Sequence, residues 1–347
     1  MTAPVAINAR AAVRGQIGGV ERVARELAVR LPVLRPDRYR VIAPRPALAH
    51  RRGHAWEQLV LPALARNSEL LLCPANLAPL ASGRNVVSIH DVAPFLGDWY
   101  GSLYGRWHRA LLPRVARGAL RVIAPSEVVR GQLVELLGVE EERTRVVPLG
   151  VDPALGDRAD PVRAAARHGL TEPYVLAVGT DLPRKNFELL GRVSEPLGRE
   201  GIEVVLAGST RHYMPRGSYP VRELGYVAEE DLPGLYAGAA AFAMPSLYEG
   251  FGLPCLEAMA CGTPVVAANR GALPETCADA ALLEDPTDPE TFADALLKAA
   301  SPGEARTRLV EAGRSRAAHL TWERTAIRMD AVVAEALVAG KGIRAQP

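Results

Sequence analysis

Short apolar runs alternate with longer stretches of helical periodicity along nearly all of this 347-residue chain. Apolar runs of about four to eight residues between turn residues are typical of buried strands, whereas apolar residues three or four positions apart are typical of helices. Val20, Val23, Leu27 and Leu31 show the helical spacing in the first helical stretch. A repeated alternation of strand and helix predicts parallel sheets covered on both faces, so we expect a doubly wound α/β fold.

The predicted elements form two series. The first series has strands at residues 4–9, 39–43, 69–73, 85–89, 121–124 and 145–148, with helices at 19–31, 103–118 and 127–137. The second has strands at residues 174–178, 202–207, 241–244 and 264–268, with helices at 187–197, 231–237, 253–260, 289–300 and 322–338.

The alternation stops and restarts at residues 150–161, which read GVDPALGDRADP. Gly, Pro and Asp are frequent there and no apolar period runs through the segment, as is typical of a linker. A chain of this length accommodates two domains. We predict one domain over residues 1–150, a second over 151–320, and a C-terminal helix and frayed tail over 321–347 that packs back on the first domain. Doubly wound domains bind ligands at the carboxyl ends of their strands.

The stretch 245–275 (PSLYEGFGLPCLEAMACGTPVVAANRGALPE) carries the strongest signal for chemistry. Gly250 and Gly252 disfavour a continuous helix through Glu249, so this carboxylate is predicted on a loop, with Glu257 in the first turn of the next helix. Small residues let backbone N–H groups approach a ligand, and the helix N-terminus behind them favours an anion such as phosphate. Two simpler interpretations remain: Glu249 as a solvated loop residue, and Glu257 as a partner of the helix dipole.

The string E-G-F-G-L-P-x-L-E-A-M-A-x-G-x-P-V-V, which begins at Glu249, resembles the donor-site motif of the family-4 retaining glycosyltransferases. The resemblance extends over nearly the whole chain and implies the GT-B fold, with two Rossmann-like domains facing each other across a cleft. It implies that Glu249 binds hydroxyl groups of the donor sugar and that Glu257 binds the ribose of the nucleotide. It also implies that sugar and phosphate are lined by the backbone of Gly250, Phe251, Gly252 and Leu253.

Residues 179–190 (GTDLPRKNFELL) are similar to a second loop of that family, which follows a strand and precedes a helix. Arg184 and Lys185 supply two cations, which suit a diphosphate whose negative charge increases as the glycosidic bond breaks. Gly179 begins this loop and is expected beside the donor. A helix start repels cations, and the chain has only three lysines, so an ordinary surface pair is the poorer interpretation.

The resemblance assigns further positions on both halves of the chain. Gly18 and Gly19 open the first predicted helix and resemble the family loop that closes on the donor phosphates, although a tight turn explains such a pair equally. His90 follows a predicted strand and resembles the family's His-Asp pair, which implies a contact with donor sugar or acceptor; a lone histidine at a strand end is otherwise structural. Residues 202–208 and 221–227 are similar to the family's next two strands, and this resemblance implies that Tyr226 and Val227 lie near the nucleotide base.

Charge divides unevenly between the halves. Residues 1–150 hold 21 Lys and Arg against 12 Asp and Glu, and the remainder holds 20 against 27. The basic first half predicts an anionic partner, such as a phosphorylated acceptor or a membrane surface, or reflects a general preference for arginine.

The N-terminus lacks a signal-peptide pattern and no run approaches the roughly 18 apolar residues of a membrane span. We therefore expect a cytoplasmic protein with, at most, peripheral contact at the inner face of the cell membrane.

No metal site is predicted. The sequence contains no D-x-D motif, which sugar-nucleotide enzymes commonly use to hold a divalent ion, and its four cysteines form no C-x-x-C pair. This agrees with the metal-independent chemistry of the family that the motifs resemble. We expect no cofactor other than the nucleotide diphosphate sugar as co-substrate, and no nucleic-acid partner.

The resemblance implies a retaining hexosyltransferase of the kind that builds bacterial surface polysaccharides, with mannose or rhamnose donors favoured. Its acceptor would be a glycan, a polyprenyl-diphosphate-linked glycan or a small molecule. Two alternatives stay open: a sugar-nucleotide epimerase on the same fold, and a catalytically idle nucleotide-binding scaffold. The sequence does not decide which nucleotide carries the sugar, UDP, GDP, dTDP or ADP, and it does not decide the oligomeric state.

Overall fold

A computed structural model describes residues 4–15, 18–50, 53–100, 102–208 and 219–344, with only the backbone described at 102–104 and 341–344. The chain forms two compact units. Unit 1 consists of Met1–Gly97, Leu103–Leu149 and Trp322–Pro347, and unit 2 consists of Asp98–Ser102 and Gly150–Thr321. The predicted linker is not structureless, because a short 3₁₀ helix covers Pro153–Arg158.

Unit 1 is built on a six-stranded sheet in the order β2-β1-β3-β4-β5-β6, and every strand pair is parallel. Its strands are β1 Val5–Asn8, β2 Tyr39–Ile42, β3 Leu70–Cys73, β4 Asn85–Ser88, β5 Arg121–Ala124 and β6 Thr144–Val146. All six lie within a residue or two of the predicted positions, since each is an apolar run bounded by turn residues.

Helices cover both faces of this sheet. They are α1 Gly19–Leu34, α2 Gly53–Ala55, α3 Leu61–Leu64, α4 Ala93–Leu96, α5 Ser102–Gly118 and α6 Glu127–Leu137, with a π-helical turn at Trp56–Val60 between α2 and α3. One core joins Leu71 and Val87 of the strands to Leu61, Leu112 and Leu133 of the helices. Because side chains alternate along a strand, the neighbouring strand residues point to the opposite face.

Unit 2 has a second six-stranded parallel sheet, in the order β12-β11-β10-β7-β8-β9. Its strands are β7 Tyr174–Val178, β8 Glu203–Ala207, β9 Arg222–Gly225, β10 Ala241–Met244, β11 Val265–Ala268 and β12 Ala281–Glu284. Counted from β7, this is the 3-2-1-4-5-6 order of Rossmann domains. The chain reverses its direction of winding between β7 and β10, so these two adjacent strands define the switch point of the sheet.

The helices of the second series are α7 Pro161–His168, α8 Phe187–Arg199, α9 Leu232–Gly238, α10 Leu253–Ala260, α11 Leu273–Cys277, α12 Pro289–Ala300, α13 Glu304–His319 and α14 Trp322–Arg344. The predicted helices 253–260 and 289–300 are confirmed to the residue. The predicted tail helix ends too early at residue 338, because the helix continues to Arg344. Among the described helices, none combines the length and apolar character that crossing a bilayer requires.

The sequence analysis missed β12 and α13 for identifiable reasons. Strand β12 lies at the sheet edge, where its residues are only half-buried, and its Ala-Leu-Leu-Glu sequence lacks β-branched residues. Helix α13 buries Leu309, Gly313 and Ala317, so its inward stripe carries a single large apolar side chain. At Gly313 an added Cβ would lie 3.1 Å from Cγ of Met259 on α10, which shows how closely the two helices pack.

Helix α14 belongs to unit 1, where it packs against α1 and contacts β3. A polar cluster fastens it to the edge strand β2. Asp330 of α14 is buried and accepts hydrogen bonds from the Tyr39 hydroxyl at 2.7 Å and from Arg38 Nη1 at 2.6 Å. Arg35 Nε lies 3.3 Å from the other carboxylate oxygen. Burial, together with the hydrogen bond to Asp330, raises the pKa of Tyr39.

We expect Asp330→Ala to destabilise the protein by about 2–4 kcal/mol, because it leaves a buried tyrosine hydroxyl and an arginine without their acceptor. Thermal and urea unfolding followed by circular dichroism would measure the loss. Glu335→Gln on the same helix is the control, since Glu335 makes an exposed pair with Arg145 worth less than about 1 kcal/mol. Equal stability of the two variants would contradict the assigned role of Asp330.

Candidate functional site

The switch point of the unit 2 sheet brings two loops together. In doubly wound sheets, ligands bind outside the carboxyl ends of the strands at this point. Strand β7 ends at Val178 and leads through Gly179 to a 3₁₀ turn, Pro183–Lys185. Its neighbour β10 ends at Met244 and leads to the loop that carries Glu249. The two loops that the sequence motifs predicted are therefore adjacent in the fold.

Arg184, Lys185 and Glu249 form a cluster of charges at this point. Lys185 Nζ lies 2.7 Å from Glu249 Oε1, and Arg184 Nη1 lies 3.0 Å from the same oxygen. Lys185 and Glu249 are buried, and the side chain of Arg184 is nearly so. Lysine and arginine carry more N–H donors than one carboxylate oxygen can accept. Two cations against one carboxylate give the cluster an excess of positive charge, which suits a further anion.

The protonation states of this cluster follow from burial and from the proximity of opposite charges. Burial alone would raise the pKa of Glu249, but Lys185 and Arg184 outweigh it and lower this pKa to about 2. Burial lowers the pKa of Lys185, and the carboxylate of Glu249 opposes that decrease. Glu249 is thus ionised at neutral pH. Its burial, and not its charge, excludes the interpretation of this residue as a solvated loop carboxylate.

Backbone hydrogen bonds fix the loop that carries Glu249 from both sides. Arg184 binds it twice: its carbonyl accepts from Leu247 N at 2.8 Å, and its Nη1 donates to the Tyr248 carbonyl at 2.9 Å. On the other side, Ala272 N donates to the Glu249 carbonyl at 2.9 Å. Gly271 has φ +57°, and a Cβ there would lie 2.6 Å from the Glu249 carbonyl oxygen, so only glycine allows this approach.

Helix α10 begins directly behind this loop. Gly252 precedes the helix with φ +105°, Leu253 is its first residue, and Pro254 follows, as predicted for a helix start near the proline. The first turn holds no acidic residue and no side chain caps it, so the N-terminal N–H groups suit an anion. Gly250 and Phe251 are buried in the loop just before the helix.

Glu257 lies in the second turn of α10, not in the first turn as the sequence analysis predicted. The helix begins one residue before the proline, and this moves Glu257 away from the unpaired N–H groups. The interpretation of Glu257 as a partner of the helix dipole is therefore weaker, because the effect of the dipole fades beyond the first turn. Glu257 is buried, and its Oε2 accepts a hydrogen bond from the Tyr236 hydroxyl at 2.9 Å.

The remaining predicted donor positions lie around the same sheet edge. Gly179 is packed so closely that a Cβ there would lie 3.4 Å from Cε of Lys185. At Gly208, after β8, a Cβ would lie 1.7 Å from the Gly179 carbonyl oxygen, so this second glycine is required too. Tyr226 and Val227 follow β9; the tyrosine is half-exposed and the valine is buried. Their predicted contact with the base stays a prediction.

An aromatic pair supports the Glu249 loop and was not predicted. Trp99 belongs to the short segment of the first half that lies in unit 2, and it stacks on Tyr248 with ring centroids 6.1 Å apart and planes 15° apart. The helix α5 begins only at Ser102, so Trp99 lies in the connection before it.

In unit 1, His90 follows β4, beyond its last residue Ser88. Its Nε2 lies 2.7 Å from the Pro74 carbonyl oxygen, which requires the proton on Nε2, and its buried Nδ1 has no partner among the described residues. Burial lowers the pKa of His90, so the ring is neutral at pH 7. Nδ1 is an acceptor suited to a hydroxyl group.

Gly18 and Gly19 form the start of α1, as predicted. Gly18 is the N-cap, and its N–H donates to Glu21 Oε2 at 3.2 Å. Both glycines are exposed, and residues 16 and 17 of the predicted loop lie outside the described residues. The charge of Glu21 opposes the lowering of the His90 pKa.

A buried polar cluster at the end of β1 was not predicted. Asn8 Nδ2 donates to Glu57 Oε1 at 2.6 Å, and Arg10 Nη2 lies 3.2 Å from Glu57 Oε2. Arg10 and Glu57 are almost fully buried. Sequence periodicity gave no sign of this cluster, because its members are 47 or more positions apart except for Asn8 and Arg10. Among the described residues, no group of His, Cys, Asp and Glu is arranged to hold a metal ion.

The structure has two doubly wound units with parallel sheets. The second unit has the Rossmann strand order, with two cations and a carboxylate at its switch point. These features are typical of the GT-B class. Two family profiles match the chain: Glycosyltransferase Family 4 over residues 67–155 and Glycosyl transferases group 1 over residues 160–316. The chain therefore belongs to the family-4 glycosyltransferases, and it is a glycosyltransferase.

Individual relatives agree with this assignment. The chain is 30% identical over 293 residues to O-antigen chain mannosyltransferase B of Escherichia coli, covering 80% of this chain and 75% of the relative. It is 33% identical over 256 residues to D-inositol 3-phosphate glycosyltransferase of Salinispora arenicola, covering 65% of this chain and 57% of that relative. The crystal structure of HepE from Anabaena in complex with UDP has the same fold, with a TM-score of 0.71, 18% identity, and coverage of 96% and 100%.

Glu249→Gln should change how stability depends on pH. A carboxyl whose pKa is lowered on folding stabilises the protein above its unfolded pKa of about 4.5, and this contribution disappears as the pH falls to about 2. We expect wild type to lose about 3 kcal/mol more than the variant between pH 5 and pH 2. Urea unfolding at several pH values would measure it, with exposed Glu188→Gln as control. Parallel pH profiles for wild type and Glu249→Gln would refute the buried ion cluster.

Trp99→Ala should weaken nucleotide binding by about two- to tenfold, because a stacked aromatic pair contributes about 0.5–1.5 kcal/mol and here supports the loop that carries Glu249. Isothermal titration calorimetry with the preferred nucleoside diphosphate would measure the dissociation constant. Trp99→Phe keeps a ring against Tyr248 and should bind within about twofold of wild type. If both variants bind equally well, the stack does not support the loop.

Proposed function

We propose that this protein transfers a hexose or deoxyhexose, of mannose or rhamnose type, from a nucleoside diphosphate sugar to a glycan, lipid-linked or small-molecule acceptor, with retention of anomeric configuration. One observation carries the proposal. Two buried cations share a single oxygen of Glu249, at the switch point of a Rossmann sheet and in front of an uncapped helix N-terminus. This arrangement suits a diphosphate that leaves with growing negative charge.

In the proposed complex, the diphosphate oxygens accept hydrogen bonds from Arg184, Lys185 and the first N–H groups of α10. Glu249 keeps its negative charge and accepts hydrogen bonds from hydroxyl groups of the donor sugar. Glu257, oriented by the Tyr236 hydroxyl, binds the ribose of the nucleotide. Arg184 and Lys185 are already in place before the bond breaks, and a preorganised donor of this kind accelerates a reaction by about 10²–10³.

The reaction breaks the bond between the anomeric carbon and the diphosphate oxygen and forms a bond from the acceptor oxygen to the same carbon. The acceptor's proton passes to the departing diphosphate. His90 contributes a neutral imidazole whose Nδ1 accepts a hydroxyl hydrogen of sugar or acceptor. We further propose that the enzyme needs no metal, because Arg184, Lys185 and the helix N-terminus neutralise the charge that a divalent ion would otherwise meet.

Relatives support the substrate classes. The E. coli relative is named as an O-antigen chain mannosyltransferase, and the Salinispora relative as a glycosyltransferase for a phosphorylated acceptor, D-inositol 3-phosphate. The solved HepE structure contains UDP.

A sugar-nucleotide epimerase and an idle scaffold are less favoured, because Arg184, Lys185, Glu249 and Glu257 are all present and buried or nearly so. We place the reaction in the cytoplasm.

Thermal melts with UDP, GDP, dTDP and ADP, in the presence of EDTA, test the donor site. A ligand at 100 times its dissociation constant stabilises a protein by about 2.7 kcal/mol. We expect one nucleotide to raise the melting temperature of wild type, and Lys185→Ala to lose most of that shift. Lys298→Ala, an exposed lysine on α12, is the matched control and should respond as wild type does.

Turnover tests the transfer itself. With the matching nucleotide sugar and acceptor, we expect release of the nucleoside diphosphate to fall at least about tenfold to a hundredfold in Lys185→Ala and in Glu249→Ala. Release that does not depend on acceptor would favour an epimerase or hydrolase. A clear melting shift without any release in wild type would favour the scaffold, and near-normal turnover in both variants would overturn the site assignment.

A further inference from the structure

The loop after β3 in unit 1 holds His90 at two points. Pro74 directly follows β3, and its carbonyl oxygen accepts the Nε2 proton of His90 at 2.7 Å. Two residues further on, Asn76 Oδ1 accepts a hydrogen bond from the backbone N–H of His90, also at 2.7 Å. The ring and the main chain of His90 are therefore both fixed by the loop of the neighbouring strand.

Asn76 takes the place of a further β3 residue beside β4. Its backbone N–H donates to the Ser88 carbonyl at 2.9 Å, and its Oδ1 accepts from His90, two positions after Ser88. In a parallel pair of strands, one residue bonds in this way to the two residues that flank its partner, through its own N–H and C=O. Here the side-chain oxygen of Asn76 replaces the main-chain carbonyl, so the hydrogen-bond ladder continues past the end of β3.

The backbone conformation at this position does not by itself require asparagine. Asn76 has φ +65°, in the left-handed region. Glycine adopts this region without steric cost, and asparagine does so more readily than most other residues. Glycine would therefore satisfy the conformation alone. The asparagine adds a carboxamide, and one of its two polar atoms is engaged with His90.

The second polar atom of this carboxamide can bind a ligand. The N–H of His90 needs an acceptor, so the atom facing it is Oδ1, and Nδ2 keeps its two N–H donors. Nδ2 has no hydrogen-bond partner among the described residues, and Asn76 is only half-buried. A molecule that approaches the loop from solvent can therefore accept a hydrogen bond from Nδ2.

The topology of the unit 1 sheet places this carboxamide where ligands bind. The strand order β2-β1-β3-β4 means that the winding reverses between β1 and β3. Doubly wound sheets with this order bind ligands outside the strand carboxyl ends at that switch point, as Rossmann sheets do at theirs. Asn76 follows β3, one of the two strands at the switch point, and His90 follows β4, the next strand of the sheet.

Asn76 and His90 offer complementary groups to a ligand. Nδ1 of the neutral His90 is an unpartnered acceptor, whereas Nδ2 of Asn76 only donates. A hydroxyl group both donates and accepts, and a sugar ring carries several such groups on adjacent carbons. A phosphate group offers acceptor oxygens only, and these would meet the lone pair of His90 Nδ1. The two residues together therefore suit an uncharged, hydroxyl-bearing ring.

We propose that Asn76 is a further substrate-binding residue, whose Nδ2 donates to a hydroxyl oxygen of the same sugar ring from which His90 Nδ1 accepts a hydroxyl hydrogen. Through Oδ1, the same carboxamide holds the main chain of His90, which keeps the donor and the acceptor in register. This assignment rests on the proposed transfer reaction and adds a residue to it. The ring belongs to the donor sugar or to the acceptor, and binding measurements separate these two sources.

Asn76→Asp tests the contact, because it keeps an oxygen for the His90 N–H and removes the Nδ2 donor. With the nucleotide sugar and acceptor that give turnover in wild type, kcat/KM for release of the nucleoside diphosphate should fall about three- to tenfold. The melting temperature should stay within about 2 °C of wild type, since the bond to His90 remains. Asn67→Asp makes the same change at an exposed position of unit 1 and should behave as wild type.

Isothermal titration calorimetry identifies which ring carries the hydroxyl. If the ring is that of the donor, Asn76→Asp weakens binding of the nucleotide sugar and leaves binding of the nucleoside diphosphate unchanged. If the ring is that of the acceptor, both donor ligands bind as they do to wild type, and KM for the acceptor rises.

Monodeoxy analogues of the donor sugar and of the acceptor show whether Asn76 touches the substrate. The analogue that lacks the bound hydroxyl should slow wild type about three- to tenfold and slow Asn76→Asp no further, because both changes remove the same hydrogen bond. A purely structural role would make the two losses additive for every analogue. Asn76→Gly allows the positive φ without any carboxamide, so the same comparison in this variant gives an answer that does not depend on the charge of aspartate.

The outcomes separate this assignment from the transfer reaction. Wild-type kcat/KM in Asn76→Asp, or additive losses with every analogue, overturns the role of Asn76 and leaves the transfer reaction intact. A wild-type protein that binds nucleotide but gives no turnover overturns the transfer reaction, and the role of Asn76 with it. A loss in Asn67→Asp equal to that in Asn76→Asp also overturns the assignment, because it would show a general effect of added negative charge.

Discussion

One oxygen atom, Glu249 Oε1, holds the candidate site together, because both Lys185 and Arg184 bind it. Burying a charge is costly unless an opposite charge lies nearby, so none of these three side chains is stable in its position without the others. Arg184 also binds the backbone of the Glu249 loop, which couples the charge cluster to the shape of that loop. The positions of the two cations, the conformation of the loop and the ionisation of Glu249 therefore depend on one another.

The sheet decides where this cluster lies. In a Rossmann order the connections leave β7 and β10 in opposite directions, which opens a space at their carboxyl ends and allows two loops to approach. Glycines at 179, 208 and 271 keep side chains out of that space. Unit 1 is also doubly wound, but its strand order differs, with β1 between β2 and β3. Its chemistry differs too, because a neutral His90 and the buried Asn8, Arg10 and Glu57 take the place of the paired cations.

In unit 1, the helical stretch between β2 and β3 presents apolar side chains both to the core and to solvent. Trp56 and Leu61 satisfy the core, while Leu59, Val60 and Leu64 stay in water. Nothing in the packing of unit 1 requires leucine or valine at the exposed positions, and a polar side chain would cost the core nothing there. Helix α5 carries four of the 21 basic residues in the first 150 positions and no acidic residue.

The sequence by itself determined the class of fold, eleven of the twelve strand positions and the identity of the charged side chains in unit 2, because strands, turns and motifs depend on residues close together in the chain. It did not determine the position of Glu257, which depends on where α10 begins, nor its Tyr236 partner 21 positions away. It missed β12 and α13, whose apolar signals are weak, and it could not foresee Trp99 in unit 2 or a stretch that exposes its leucines. These features depend on which side of an element faces the core and on partners distant in sequence, and only the packing of the whole chain decides that.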